Sequence, residues 1–271
     1  MLILPTLCEL HPERAPGVYD PAVQSEQAEF IGASGTTLAA TVRRPDSPVV
    51  GSVLMAHCFT CSKDLHTLTR LSKALAAEGW ITFAFDFTGL GASAGDFGAT
   101  SVSSNVGDLR RAAATMLDQR IGPCLLIGHS LGGSAAVLAA AALKTVDAVI
   151  CIGSPADVDH VCHLLPDDAG EREDRFPVEI GGRTFDLDPG FVTDLATHDV
   201  RDAAAALNRP FLVVEAGDDE VVDHRQTKAL ATAGNGELHT IPGADHLFST
   251  PDHARQLAEK VVDWTSRHAS R

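Results

Sequence analysis

Hydrophobic residues recur along the chain in short unbroken runs, and the segments between the runs carry apolar residues at helical spacing. The runs are typical of strands buried on both faces of a parallel sheet, and they occupy residues 49–56, 80–87, 124–128, 146–153, 211–217 and 237–241. The segments with helical spacing occupy residues 65–79, 103–119, 130–143, 224–234 and 251–267. This alternation predicts an α/β fold with a mostly parallel, doubly wound sheet and helices on both faces.

Two segments depart from the alternation. Residues 1–27 contain four prolines and predict an N-terminal surface arm. Residues 28–271 are predicted to form a single domain, which begins with a hairpin over residues 30–45. Residues 155–208 are rich in Asp, Pro and Gly and are too long for a plain connection, so they predict an inserted lid. Within this lid, the segment VEIGGRTFDL predicts a hairpin that turns at Gly181 and Gly182.

Composition narrows the class of protein. The 271 residues carry a formal net charge of −15, which argues against nucleic acid or an anionic membrane surface as a partner because both favour clustered Lys and Arg. The sequence has no apolar run of about 18 residues and no basic segment before its first apolar stretch, so we expect neither a membrane span nor a signal peptide. We therefore expect a cytoplasmic protein that acts on a small molecule, and the sequence does not distinguish a monomer from a homodimer.

The first candidate catalytic motif is the segment GHSLG, which runs from Gly128 to Gly132 at a predicted strand-to-helix junction. This segment fits the G-x-S-x-G pattern, in which a sharp turn exposes the serine hydroxyl as a nucleophile. The flanking glycines allow the strand and the helix to approach closely. The alternative is a glycine-bounded turn in which Ser130 only caps the helix. The strand before it and the helix after it favour the nucleophile.

Longer segments resemble a known family from about residue 28 to the end of the chain. The segments are AHCFTCSKDLHTLTRLSKALA, FDFTGLGASAGDF, SSNVGDL, IGHSLGGSAAVLAA, GSPADVDHV and GGRTF. They resemble the hydrolase half of bacterial proteins that fuse an α/β-hydrolase to an OsmC-like peroxidase domain. The resemblance implies a serine esterase-like hydrolase of the α/β-hydrolase superfamily. The sequence ends where the fused proteins would continue, so we expect no OsmC-like half and no peroxidase function.

A serine nucleophile needs a base and an acid that orients the base. In α/β-hydrolases these residues follow in the order Ser, Asp or Glu, His, each after a strand. His246 follows the predicted strand 237–241 and is the candidate base. Asp219 is the preferred acid because the run DEVV resembles the family's Asp-x-x-Val. Its neighbours Asp218 and Glu220 are the alternatives, and His57 is the one other histidine that we expect near the site.

Two backbone N–H groups are candidates for an oxyanion hole. One belongs to Leu131, directly after the nucleophile, and the other to Phe59, in the loop after the strand 49–56. This loop departs from the family's His-Gly start because Cys58 replaces the glycine. The backbone still supplies the donor, so we expect the oxyanion hole to be retained.

Cys58 and Cys61 form a C-x-x-C pair that admits three interpretations. A structural zinc site would need a second pair at suitable spacing, and a thioredoxin-like motif would need a fold that this chain does not match. Packing beside the site is the favoured interpretation, and the six cysteines do not resemble a disulfide framework. We therefore expect no metal and no cofactor.

The leading hypothesis is a serine hydrolase of small carboxylic esters (EC 3.1.1). A thioesterase or an acyltransferase would use the same residues, and a non-catalytic ligand-binding protein on this fold is a further alternative. We expect about half of the apolar lid residues to anchor the lid and the others to line a modest acyl pocket. These residues are Val161, Leu164, Leu165, Phe176, Phe191 and Leu195.

Overall fold

The computed structural model describes residues 23–180 and 182–268. The strands in this part of the chain are β1 Gln24–Ile31, β2 Thr37–Arg44, β3 Gly51–Ala56, β4 Trp80–Phe85, β5 Leu125–His129, β6 Ala148–Ile152, β7 Phe176–Ile180, β8 Arg183–Leu187, β9 Phe211–Ala216 and β10 Glu237–Ile241. The α-helices are α1 His66–Ala77, α2 Val102–Asp118, α3 Leu131–Ala140, α4 Gly190–Leu195, α5 Val200–Ala205, α6 His224–Ala233 and α7 Pro251–His268.

Eight strands form one sheet in the order β1-β2-β4-β3-β5-β6-β9-β10. The strands β4, β3, β5, β6, β9 and β10 are parallel to one another, and β2 is antiparallel to both β1 and β4. The predicted doubly wound α/β fold is thus confirmed. In a parallel sheet the carboxyl ends of the strands meet at one edge, and here the loops after β3, β5, β6, β9 and β10 share that edge.

Each face of the sheet is covered by helices. Along β5, Leu125 and Ile127 pack in the core beside α1 and α7, whereas Leu126 packs in the core beside α2 and α3. Successive side chains of a strand point to opposite faces, and for this reason the buried strands appear in the sequence as unbroken apolar runs. Among the described residues, no helix is both long and apolar enough to cross a membrane.

The N-terminal hairpin is longer than predicted. The predicted turn between Ile31 and Thr37 is present, but β1 begins at Gln24, which pairs with Arg44. The predicted arm boundary at residue 27 is therefore wrong, because residues 24–27 belong to the sheet. The rest of the predicted arm, residues 1–22, lies outside the described residues.

The predicted lid segment leaves the sheet after β6 and returns to it at β9. It contains short 3₁₀ turns at Val158–Leu164 and Ala169–Glu171, the hairpin β7–β8, and the helices α4 and α5. The hairpin is confirmed, with Gly182 at a φ of 75° in its turn, while Gly181 lies outside the described residues. Helix α5 packs on α3 and α6, so the last part of the segment belongs to the main helical layer.

Candidate active site

Ser130 is the single residue between β5 and α3, and its backbone conformation is rare for any residue except glycine. Its φ is 54° and its ψ is −129°, a strained geometry that proteins keep mainly at functional sites. The adjacent glycines make the turn possible. A Cβ on Gly128 would lie 2.4 Å from the carbonyl oxygen of Gly132, and a Cβ on Gly132 would lie 2.1 Å from that of His57.

Asp219 and His246 come together although 27 positions separate them in the sequence. The Nδ1 atom of His246 lies 2.8 Å from Oδ2 of Asp219, and both side chains are largely buried. The second oxygen of Asp219 accepts the backbone N–H groups of Val221 at 2.9 Å and Val222 at 2.8 Å. The neighbouring carboxylate of Asp218 is exposed. The structure thus places the Asp219 carboxylate beside the imidazole.

The surroundings of Asp219 stabilise its ionised form. Burial alone would raise the pKa of this carboxyl, but the hydrogen bond from His246, the charge of that imidazole and the two backbone N–H groups outweigh burial and lower the pKa. An ionised Asp219 can only accept a hydrogen bond, so Nδ1 of His246 carries the proton that it donates. The Nε2 atom of a neutral His246 is then free to accept a proton.

The end of β6 forms the wall behind this pair. Gly153 has a φ of 52°, and a Cβ at this position would lie 3.4 Å from the His246 ring and 3.5 Å from Oδ2 of Asp219. The preceding residue, Ile152, accepts the backbone N–H of Ser130 at 2.8 Å. The ends of β5 and β6 therefore bring Ser130 to the same place as the His246–Asp219 pair.

His129 joins the serine turn to the histidine loop. Its Nε2–H donates to the backbone carbonyl of His246 at 2.9 Å, and the two rings are 5.0 Å apart. Burial lowers the pKa of His129 to about 3, with a further contribution from the charge of His246, so the ring is neutral. Among the described residues, no hydrogen bond joins Ser130 Oγ to His246. In unliganded active sites such bonds are often long and tighten only when substrate binds.

The loop after β3 is fixed at its start by His57. The Nδ1–H of His57 donates to the carbonyl of Cys58 at 2.7 Å, and its Nε2 accepts the N–H of Phe87 at 3.1 Å. Burial lowers the pKa of His57, which agrees with a neutral ring that donates at one nitrogen and accepts at the other. The close approach of Gly132 to His57 sets this loop against the first turn of α3.

Asp86 fixes the other end of the same loop. Its buried carboxylate accepts the N–H of Lys63 at 2.6 Å and the N–H of Ala92 at 2.9 Å, and the Lys63 ammonium lies 3.3 Å from it. Burial opposes the charge of Lys63, but the carboxylates of Asp64 and Asp86 raise the pKa of this ammonium overall. The loop that contains Phe59 is thus held at both ends.

Cys58 and Cys61 are joined by a disulfide bond. The sequence favoured two packed thiols, and the structure differs because the C-x-x-C turn brings the two Cα atoms to 5.3 Å, within the range that a disulfide spans. The bridge is local and links only residues three positions apart. Among the residues that the structure describes, Cys124, Cys151 and Cys162 are free, while Cys8 lies outside them, so the expectation of no larger disulfide framework stays a prediction.

The lid contacts the loop after β3 through aromatic rings. Phe59 stacks on Phe191 of α4 with ring centroids 5.4 Å apart, and Phe97 lies 5.3 Å from Phe59. The apolar lid residues divide as follows: Val161, Phe176, Phe191 and Leu195 are buried in the core, whereas Leu164 and Leu165 are half-buried against it. Most of these residues anchor the lid, and the last two remain candidates for contact with substrate.

Sequence reasoning missed three residues at the site. The expectation that His57 is the one additional histidine is wrong, because His129 contacts His246. The pKa of His160 is lowered by burial and by the charge of His163, and the charge of His246 lowers it further. Asp86 was the third omission. His129 occupies the variable position before the nucleophile in G-x-S-x-G, which is the signal that could have identified it.

The fold and the sequence together identify the family. The model of the alpha/beta hydrolase family matches residues 53–260, and the chain therefore belongs to that family. The esterase domain of a Rhodothermus marinus protein is 35% identical and superposes with a TM-score of 0.75, covering 90% of this chain and 99% of that one. The chain thus resembles an esterase in both sequence and structure.

Other proteins are similar to the chain at lower identity. Est1E from Butyrivibrio proteoclasticus, solved with ferulic acid bound, is 22% identical with a TM-score of 0.75 and covers 89% of this chain and 99% of that one. A curated Mycobacterium tuberculosis protein is 25% identical over 254 residues, which cover 92% of this chain and 48% of that protein. The name of that protein provisionally describes it as a phosphoribosyl transferase. The chain spans about half the length of the curated relatives it matches. The expected relationship to OsmC fusion proteins stays a prediction.

Proposed function

We propose that this protein is a serine hydrolase that cleaves small carboxylic esters through an acyl-enzyme intermediate. Ser130 is the nucleophile, His246 the general base and acid, and Asp219 the residue that orients the imidazole and stabilises its protonated form. The observation that carries the proposal is the hydrogen bond from His246 Nδ1 to Asp219 at 2.8 Å beside the strained turn of Ser130. The similarity to an esterase domain supports the same reaction class.

The first half-reaction forms the acyl-enzyme. Ser130 Oγ attacks the ester carbonyl carbon while Nε2 of His246 takes the hydroxyl proton, and the carbonyl oxygen becomes an oxyanion. The N–H of Leu131 is one of the first N–H groups of α3, which have no acceptor within the helix. Together with the N–H of Phe59 it would stabilise the oxyanion. Collapse of the tetrahedral intermediate breaks the ester C–O bond, and His246 returns the proton to the leaving alcohol.

The second half-reaction uses water in place of the serine. His246 removes a proton from water, the hydroxide attacks the acyl carbon, and the proton returns to Ser130 Oγ as the acid leaves. The same residues would serve a thioester or an acyl acceptor other than water. We place an ester first because the 35% identical structure is an esterase domain.

A panel of p-nitrophenyl esters of increasing acyl length tests the proposal. We expect measurable hydrolysis of the short esters by the wild type. Ser130→Ala and His246→Ala should each lose at least about 10⁴-fold in kcat, because the triad residues act as a unit. The matched control is Ser249→Ala, since Ser249 is an exposed serine in the loop after His246 whose hydrogen bonds, within the described part of the chain, go to Asp245. Wild-type turnover by Ser130→Ala would exclude this serine as the nucleophile.

A further inference from the structure

The Cys58–Cys61 disulfide closes the turn that carries one candidate oxyanion donor. The four residues of the turn are Cys58, Phe59, Thr60 and Cys61, and the N–H of Cys61 donates to the carbonyl of Cys58 at 3.1 Å. The bridge therefore spans the same four residues as the hydrogen bond of a β-turn. Phe59 and Thr60 are the two central residues of this turn.

The orientation of the Phe59 N–H depends on the Cys58 carbonyl because both belong to one planar amide. In a trans peptide the N–H points away from the C=O. The carbonyl accepts hydrogen bonds from His57 Nδ1 at 2.7 Å and from the N–H of Cys61 at 3.1 Å. Whatever holds Cys61 in place thus also maintains one of the two hydrogen bonds that orient the Phe59 N–H.

Thr60 adds backbone strain to the turn. Its φ is 64°, in the left-handed region that glycine and asparagine adopt readily and that β-branched residues avoid. A free chain would relax Thr60 toward negative φ and would open the turn. The residues outside the turn would stay in place, because His57 is buried in the core and Lys63 is bonded to Asp86.

We propose that the disulfide is a positioning element of the oxyanion hole and that its reduction lowers turnover without unfolding the protein. This inference rests on the proposed esterase function. Cys58 is buried and Cys61 is half-buried, so we expect a reductant to approach the sulfur of Cys61. A phosphine attacks that sulfur and breaks the S–S bond. Water then hydrolyses the thiophosphonium, so that the cysteines gain two electrons and two protons and the phosphorus becomes a phosphine oxide.

The test compares the oxidised and reduced forms of the full protein. Intact mass after alkylation would count the thiols before and after treatment with tris(2-carboxyethyl)phosphine, and circular dichroism would monitor folding. Removal of an oxyanion donor costs about 10²- to 10³-fold in kcat, so we expect a loosened donor to cost about 10-fold, with KM within about twofold of the oxidised value. Reoxidation should restore kcat.

Two variants complete the experiment. The double variant Cys58→Ser/Cys61→Ser should show the low kcat with or without phosphine, whereas Cys162→Ser, which removes an exposed free thiol, should respond like the wild type. A reduced enzyme that keeps its kcat, free thiols at both positions in untreated protein, or unfolding on reduction would each overturn the proposal. Failure of the esterase function is distinguishable, since neither form would then hydrolyse any ester.

Discussion

Asp86→Asn tests the anchor of the loop after β3. The change keeps the shape of the side chain but replaces one accepting oxygen with an NH₂ donor and removes the charge. The carboxylate is fully buried and accepts two backbone N–H groups, from Lys63 and Ala92, as well as the Lys63 ammonium. One N–H would lose its acceptor at a cost of about 1–3 kcal/mol. Breaking a buried ion pair outright costs about 3–5 kcal/mol, but the Lys63 ammonium keeps Asp64 as a partner at 2.8 Å, so we take the added cost as about 1 kcal/mol.

The expected loss is therefore about 2–4 kcal/mol in the free energy of unfolding, which a domain with about 5–15 kcal/mol of stability survives. The matched control is Asp64→Asn, which removes the other partner of the same lysine. Asp64 is 65% exposed and lies 2.8 Å from the Lys63 ammonium, so its loss should cost at most about 1 kcal/mol. Guanidinium chloride unfolding at pH 7 measures both values. Equal losses for the two variants would refute the anchoring role of Asp86.

Three further predictions concern the site. Asp219→Asn should lower kcat by about 10⁴-fold, as the equivalent change does in a serine protease triad, whereas the exposed Asp218→Asn should change it less than about twofold; the reverse order would move the acid by one residue. Because His129 is neutral when folded, with a pKa of about 3, its contribution to stability is complete above about pH 6.5 and is lost as the pH falls toward 3. Urea titrations of His129→Gln should accordingly show a flatter acid limb, by about one proton, and an unchanged slope would contradict the assignment. Values of kcat/KM should be highest for acyl chains of about two to six carbons, and a rise continuing to dodecanoyl esters would indicate a larger pocket.

Much of the fold follows from the sequence because buried parallel strands leave unbroken apolar runs. The first residues of strand β1 were not predicted, because β1 lies at the edge of the sheet and Gln24–Ala28 are exposed or half-buried. An edge strand with two accessible faces lacks the apolar alternation that marks a strand in a sequence. Its start at Gln24 is set by pairing with β2.

The candidate site could be predicted where a residue type and a strand end coincide. Ser130 lies between glycines at a strand-to-helix junction, and His246 follows a strand near the C-terminus, so both were accessible to reasoning from the sequence. The contacts of His129 and Asp86 were not, because they join segments 117 and 23 residues apart. Nor does a C-x-x-C pair by itself distinguish packed thiols from the disulfide observed between Cys58 and Cys61.

The central claim is that Ser130 forms a covalent bond with the acyl group of the substrate. The most direct measurement is intact-mass spectrometry after incubation with a fluorophosphonate, followed by peptide mapping of the modified residue. A serine that attacks phosphorus in this way displaces fluoride and leaves a stable phosphonate ester on its oxygen. We predict one adduct per chain, located on Ser130, with labelling abolished in Ser130→Ala and strongly slowed in His246→Ala. An unmodified wild type, or an adduct on any other residue, would contradict the account.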